Sequence, residues 1–164
     1  MARRVNKKSG EGQPADNTET AREAAIGLLA RRDYASGELR AKLEQRGYDG
    51  PTAAAVIAEL IEERALNDIR YAENYVRYHA GRGHGPLRIT ADLKPLGVPA
   101  EVIEAALATG PDWRALAREV RTRKFGAQEP PDWPEKARQA RFLQYRGFSS
   151  DHIRSALDAD FDLD

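Results

Sequence analysis

Two predicted helices carry arginine side chains at one-turn spacing, and this pattern offers the clearest chemistry in the sequence. Arg70, Asn74 and Arg77 recur at i, i+4 and i+7, which places them on one helix face. The candidate residues for contact with a partner or with DNA are Arg70, Tyr71, Asn74, Arg77, Arg82, Arg88, Lys94, Arg114, Arg118, Arg121, Arg123, Lys124, Arg138 and Arg141. Such faces would bind phosphates or carboxylates in a salt-sensitive way, although solvated helix surfaces carry the same pattern.

Other kinds of site find little support in the residue types. The chain contains no cysteine; His79 and His84 stand five apart across two glycines, and His152 is distant in the chain. No zinc-protease, phosphate-loop or nucleophile-elbow motif is present. We therefore expect a protein that is not an enzyme and that holds neither a metal nor a cofactor. The turn over residues 81–85 could expose backbone amides to an anion, but a plain connector is the simpler interpretation.

The formal charge sums to zero but is unevenly distributed along the 164 residues. Residues 112–146 hold nine basic and five acidic side chains, whereas residues 147–164 hold one and five. Apolar residues make up 41% of the chain and the mean hydropathy is −0.68, as in water-soluble globular proteins. No apolar run approaches the roughly 20 residues of a membrane helix, so we expect a cytoplasmic protein without membrane contact.

Helix signals dominate the sequence, and no segment alternates with the period of a strand. Caps, prolines and glycines divide the chain into about nine predicted helices, which makes the predicted fold all-α. Thr20 to Glu23 has the capping-box pattern, and Ser36 is a predicted N-cap. Pro95 predicts a helix that bends or ends early, because its ring and missing N–H disrupt the last turn.

Three predicted helices end with Leu-x-x-x-Gly, at 43–47, 93–97 and 143–147, so the motif has a period of 50 residues. A glycine readily takes the left-handed position after a helix, and an apolar residue follows each one. With matching positions downstream, this pattern indicates an elongated tandem array of three three-helix repeats. Each repeat is too small for an independent core, so neighbours must stack.

The predicted organisation has two tails and three repeats, and three stacked repeats need no second copy, so we expect a monomer. The segments are a disordered polar and basic tail over 1–19, repeats over 20–66, 67–110 and 111–158, and an acidic tail over 159–164.

The most specific pattern lies between Leu66 and Gly97. It reads Leu-Asn-Asp-Ile-Arg-Tyr-Ala, then Tyr-Val-Arg, then Gly-His-Gly-Pro-Leu-Arg-Ile, then Asp-Leu and a closing glycine. In this order and spacing it resembles the signature of the RecX family. Residues 29–43 resemble the opening repeat of that family and residues 142–153 its closing repeat, so the resemblance covers about residues 21–158. Asn67, His79 and Lys94-Pro95 depart from the family pattern.

The resemblance implies a non-enzymatic negative regulator of the RecA recombinase. RecX-family proteins are tandem three-helix repeats that bind in the groove of the RecA–DNA filament and restrain its ATPase, strand-exchange and coprotease activities. The expected partner is therefore the RecA nucleoprotein filament, and some members also bind single- or double-stranded DNA directly.

The residues alone leave an alternative open, a helical-repeat DNA-binding protein that acts without RecA. Sequence-specific reading is disfavoured, because the helices after the first two glycine turns carry few side chains that recognise base edges.

Overall fold

The computed structural model describes residues 14–158, and all regular structure in that part of the chain is helical. Its α-helices are α1 Pro14–Leu29, α2 Ser36–Gln45, α3 Gly50–Glu62, α4 Asp68–Gly81, α5 Pro86–Leu93, α6 Ala100–Ala108, α7 Trp113–Phe125, α8 Trp133–Tyr145 and α9 Ser150–Leu157. A 3₁₀ turn, Lys94–Leu96, follows α5. Among these described residues, no helix combines the length and apolar character that crossing a membrane requires.

The chain divides into two compact units. Among the described residues, the first comprises residues 14–34 with Glu38–Leu66, and the second comprises Ala35–Gly37 with residues 67–158. Buried side chains form one core for each set of three consecutive helices, so the second unit contains two cores. The largest fully buried side chains are Leu39, Leu43, Val56 and Leu60 in α1–α3; Val76, Ile89, Leu93 and Ile103 in α4–α6; and Leu143, Phe148 and Ile153 in the last repeat.

The Leu-x-x-x-Gly turns have the geometry that the sequence predicts. Gly47, Gly97 and Gly147 have φ angles of +97°, +79° and +95°, a left-handed conformation that glycine adopts at little cost. After the third turn, the Phe148 N–H donates to the Leu143 carbonyl at 3.1 Å, which closes the helix end. The burial of the leucine in each motif then explains why the spacing recurs once per repeat.

Two predicted helix starts are wrong, whereas the prediction for Pro95 is confirmed. Helix α1 begins at Pro14, so Thr20 lies inside it and residues 14–19 are helical where the sequence predicts a disordered tail. Ser36 is the first residue of α2, and its hydroxyl donates to the Asp68 carboxylate at 2.5 Å. Helix α5 ends at Leu93, and the chain continues through Pro95 as the 3₁₀ turn. The rest of the predicted N-terminal tail and the acidic segment 159–164 lie outside the described residues.

Candidate partner-binding surface

The exposed face of α4 carries two arginines that form no ion pair with any carboxylate among residues 14–158. Asn67 starts the helix, since its Oδ1 accepts from the Arg70 N–H at 3.1 Å. Arg70, Asn74 and Arg77 are all exposed, and Arg77 Nη1 donates to Asn74 Oδ1 at 3.1 Å. Within residues 14–158, neither guanidinium forms an ion pair. This face therefore presents positive charge that an external anion can offset.

The tyrosines of α4 divide between core and surface. Tyr71 and Tyr75 pack half-buried against the α4–α6 core. The Tyr75 hydroxyl donates to Asp92 Oδ2 at 3.0 Å, and burial, with that hydrogen bond, raises the pKa of Tyr75 to about 12. Tyr78, which is not among the candidates, is 59% exposed and accepts from Arg82 Nη1 at 3.0 Å. Tyr71 thus contributes to packing, while Tyr78 holds the exposed Arg82 in place.

The glycine-rich turn between α4 and α5 is a connector that joins two repeats. Its Gly85 N–H donates to the Arg146 carbonyl at 2.8 Å, and the Leu87 N–H donates to the Gly147 carbonyl at 2.9 Å. A methyl group at Gly85 would lie 2.4 Å from the Gly147 backbone, so the close approach requires glycine. These amides are occupied and do not bind an anion. Of the candidates nearby, Arg88 is half-buried beside Gly147 and Lys94 is exposed.

His79 and His84 face each other at the end of α4. Their Nδ1 atoms are 3.1 Å apart, so one ring donates a hydrogen bond and the other accepts it. His79 also stacks on Tyr75 with ring centroids 4.0 Å apart. Burial lowers the pKa of both imidazoles, and the Arg88 charge acts in the same direction. Sequence spacing misses this pair, because the turn and not a shared helix face brings the rings together.

The three arginines that the sequence places on one face of α7, Arg114, Arg118 and Arg121, lie in different environments. Arg118 is exposed and donates from Nη1 to the Ser155 hydroxyl at 3.0 Å. Arg121 is only 7% exposed; its Nε donates to Gln139 Oε1 at 2.8 Å, and its Nη2 donates to the Gln128 carbonyl at 2.6 Å. Arg121 therefore ties α7 to α8 and to the connector between them. Its place among the candidates is corrected, because a partner cannot reach it.

The other candidates on α7 and α8 fall into two groups. Two of them form an ion pair with a glutamate on the same helix, and the others form no ion pair within residues 14–158. Arg123 pairs with Glu119, and Arg138 donates to both carboxylate oxygens of Glu135 at 2.8 and 2.9 Å. The hydrogen bonds from Arg138 and then Gln139 lower the pKa of Glu135 to about 2. Within residues 14–158, the exposed candidates of these two helices that form no ion pair are Arg114, Arg118, Lys124 and Arg141.

Four cationic side chains converge where the turn after α4 meets α7 and α8. Arg82, Arg123, Lys124 and Arg146 line a pocket of about 150 Å³. Arg146 is absent from the candidates, because the sequence places it only in a helix-ending turn. The one signal in the sequence is its position directly before Gly147. The Gly147 carbonyl accepts a hydrogen bond from Leu87 of the neighbouring repeat.

A larger cavity of about 590 Å³ adjoins this pocket. Arg123 lines both cavities, and the consecutive residues Gly81 and Arg82 line one each. The apolar walls of the larger cavity come from α4, α6 and α7, namely Val76, Ala80, Ala106 and Leu116. We call the two cavities together the junction groove. In the part of the chain that the structure describes, no set of three or more His, Cys, Asp or Glu side chains could hold a metal ion.

Comparison with known proteins identifies the family. Three family models match in chain order: the first three-helix domain of RecX over residues 21–60, the second over 67–107 and the third over 112–157. The regulatory protein RecX of Halorhodospira halophila is 46% identical over 143 residues, which cover 87% of this chain and 89% of the relative. The regulatory protein RecX of Vibrio campbellii is 43% identical over 141 residues, which cover 85% and 91%.

A solved structure has the same fold. The crystal structure of RecX from Lactobacillus salivarius superposes with a TM-score of 0.76 at 23% identity, covering 88% of this chain and 96% of that one. The helical fold, the order of the three domains and the identity to the relatives agree. The chain therefore belongs to the RecX family of regulatory proteins.

Proposed function

We propose that this chain is a negative regulator that binds in the groove of the RecA–DNA filament and restrains the ATPase, strand-exchange and coprotease activities of RecA. The relatives that it resembles carry the name regulatory protein RecX. The observation on this chain that carries the proposal is the exposed face of α4, where Arg70 and Arg77 have no carboxylate partner among the described residues. Free cations of this kind complement phosphates and acidic protein surfaces.

The basic surfaces of the second unit are held in one arrangement by the backbone. The hydrogen bonds from Gly85 to Arg146 and from Leu87 to Gly147 connect the repeat of α4–α6 to that of α7–α9. A body that is rigid across this junction and contacts neighbouring RecA protomers favours the one filament geometry that fits it. Such a ligand shifts the equilibrium between filament conformations only to the extent that it binds one of them more tightly than the others visited during ATP turnover. Regulation therefore follows the amount bound and requires no catalysis.

Titration of RecA ATPase on single-stranded DNA with this chain tests the proposal. We expect the rate of ATP hydrolysis to fall until the filament is saturated with the added protein. Because contacts by free cations are screened by salt, the apparent affinity should weaken between ~50 and ~200 mM salt. An unchanged ATPase rate at saturating protein would contradict the proposal.

A charge-reversal variant tests which residues make the contact. Reversing Arg70, Arg77 and Arg118 to Glu should lower the apparent affinity for the filament by at least about tenfold, because attraction becomes repulsion. The matched control reverses three exposed cations of the first unit, Arg31, Lys42 and Arg46, and should change the affinity by less than about twofold. Circular dichroism must show equal helicity in both variants. Equal losses in the two variants would mean that net charge alone determines binding.

The alternative is a helical-repeat protein that binds DNA and acts without RecA. Anisotropy of labelled single- and double-stranded DNA, measured with this chain alone, separates the two functions. Tight DNA binding together with an unaffected ATPase would support the alternative and contradict regulation of RecA.

A further inference from the structure

We propose that the junction groove binds a segment of a partner protein in which an apolar side chain stands next to carboxylates. The inference rests on the proposed function for the identity of that partner, which is then an acidic, apolar segment on the RecA surface. The chemistry of the two cavities carries it independently of that identity. One cavity is suited to an apolar side chain, and the other is suited to negative charge.

The larger cavity has an apolar floor, and exposed charged side chains line its edge. Val76, Ala80 and Ala106 are at most 6% exposed, so their side chains form its floor, and Leu116 of α7 also lines it. The space between α4 and α7 stays open because the side chains of Ala80 and Ala106 are too small to fill it. A cavity of about 590 Å³ is within the range of pockets that accept apolar ligand groups.

The smaller pocket concentrates positive charge that the described part of the chain only partly offsets. Glu119 pairs with Arg123, but in residues 14–158 no carboxylate forms an ion pair with Arg82, Lys124 or Arg146. Like charges held this close repel each other. A carboxylate placed among them would relieve that repulsion and gain charge-assisted hydrogen bonds.

A protein segment fits the groove better than a nucleic acid. The Phe142 ring, which could stack on a base, is already covered by Arg146 at 5.2 Å and Lys124 at 5.7 Å, with the edge contact of Phe125 at 5.2 Å. The larger cavity also carries the carboxylates of Glu73 and Glu119 in its walls. A nucleic-acid strand needs successive cations and free aromatic faces. The walls of the larger cavity offset Arg77 and Arg123 with these two carboxylates, and they contain no aromatic ring.

Fluorescence anisotropy with defined peptides tests the inference on the full chain. The probe is a labelled peptide, Gly-Asp-Leu-Asp-Phe-Asp-Gly, with two comparison peptides in which Asn replaces every Asp or Ser replaces Leu and Phe. We expect the probe to bind, and each comparison peptide to bind at least about fivefold more weakly, because each lacks one half of the recognition. Equal binding of all three peptides would overturn the inference.

Two variants locate the binding in the groove. Lys124→Gln with Arg146→Gln removes two of the four positive charges of the smaller pocket, and Thr109→Trp at the exposed rim obstructs the larger cavity. Each should weaken binding of the acidic probe by about fivefold. The matched controls are Lys42→Gln with Arg46→Gln in the first unit and Ala105→Trp on the exposed side of α6. Loss of probe binding in the controls to the same extent would overturn the inference.

Three further results distinguish this inference from a nucleic-acid site and from the proposed function. If oligo(dT) displaces the probe and itself loses affinity in the Lys124→Gln, Arg146→Gln variant, the groove is a nucleic-acid site and the inference is overturned. If that variant inhibits RecA ATPase as the parent chain does, the groove lies outside the RecA contact, and this inference fails while the proposed function stands. If the parent chain leaves RecA unaffected but binds the peptides as expected, the proposed function fails and the groove chemistry is supported.

Discussion

Helices α4 and α7 carry arginines at the same spacing, but only α4 keeps its whole stripe at the surface. Arg70 and Arg77 of α4 are exposed, whereas Arg121 of α7 is 7% exposed. Helix α7 packs against α8 and α9, and the Gln128 carbonyl in the connector to α8 accepts a hydrogen bond from Arg121. The comparison shows that helical spacing places side chains on a common face without determining whether that face stays open. The neighbouring elements determine that.

The largest effect that would test this difference is on stability. Arg121→Ala should lower the free energy of unfolding by about 2–4 kcal/mol, because Gln139 Oε1 and the Gln128 carbonyl lose a buried donor. Arg77→Ala, on the exposed face of α4, should change it by less than about 0.5 kcal/mol. Urea denaturation followed by circular dichroism measures both values. A small change for Arg121→Ala would mean that the buried hydrogen bonds contribute little.

A second variant distinguishes lost hydrogen bonds from lost packing. Arg121→Leu combined with Gln139→Leu removes both polar partners and restores apolar volume. This double variant should recover about half of the stability lost in Arg121→Ala, since apolar replacements of buried polar pairs are often tolerated. A double variant as unstable as Arg121→Ala would locate the loss at the Gln128 carbonyl or at Glu135, which loses its hydrogen bond from Gln139.

The second effect concerns binding. Reversing Arg70 and Arg77 to Glu should weaken binding to the RecA filament by about tenfold. Reversing Arg114 and Arg118 should weaken it by about threefold, because Arg118 is tied to the Ser155 hydroxyl on another helix, α9, whereas Arg77 donates only to Asn74 within its own exposed face. Each variant carries the same change in net charge, so co-sedimentation with filaments at one salt concentration compares the two faces directly. Equal losses would contradict a greater contribution from α4.

Local signals predicted much of the fold from sequence. Asn67, Asp112 and Ser149 accept hydrogen bonds at the starts of α4, α7 and α9, because a short polar side chain satisfies free amides wherever a helix begins. The capping-box pattern at Thr20 was misleading for a physical reason. Proline is well suited to the first turn of a helix, and α1 begins at Pro14, so Thr20 lies inside the helix and has no free amide there to cap.

The candidate surface was less predictable because its properties depend on tertiary contacts. Arg121 looked like a surface residue until α8 and the connector enclosed it. Arg146 looked like a turn residue until the α4–α5 turn packed against it and brought it beside Arg82 and Lys124. Neither change leaves a signature within one helical turn of the sequence. Arg121 meets its partners within one repeat, whereas Arg146 meets the α4–α5 turn of the neighbouring repeat, and both contacts form only when the chain folds.

The smallest effect is on the pH dependence of stability, and it compares the end of α4 with the start of α9. Burial lowers the pKa of His79 and His84, which share one hydrogen bond. At His79 the Asp92 charge opposes this shift more than either Arg82 or Arg88 reinforces it, so burial determines the direction. At His84 the Arg88 and Arg146 charges reinforce the shift, and Asp92 opposes it least. Burial also lowers the pKa of His152, whose Nδ1 accepts from the Ser149 N–H. In the unfolded chain these rings titrate near their ordinary value of about 6.5. As the pH falls through that value, the unfolded chain takes up protons first. The free energy of unfolding must therefore decrease as the pH falls, until the folded rings titrate too.

Urea denaturation between about pH 7.5 and about pH 5.5 should show this dependence of the free energy of unfolding on pH. The slope should flatten more in His79→Gln with His84→Gln than in His152→Gln, because two coupled rings at the end of α4 lose their shifts together. If His152→Gln flattens the slope more, protonation acts mainly on the cap of α9, and the buried imidazole pair contributes less than its geometry indicates.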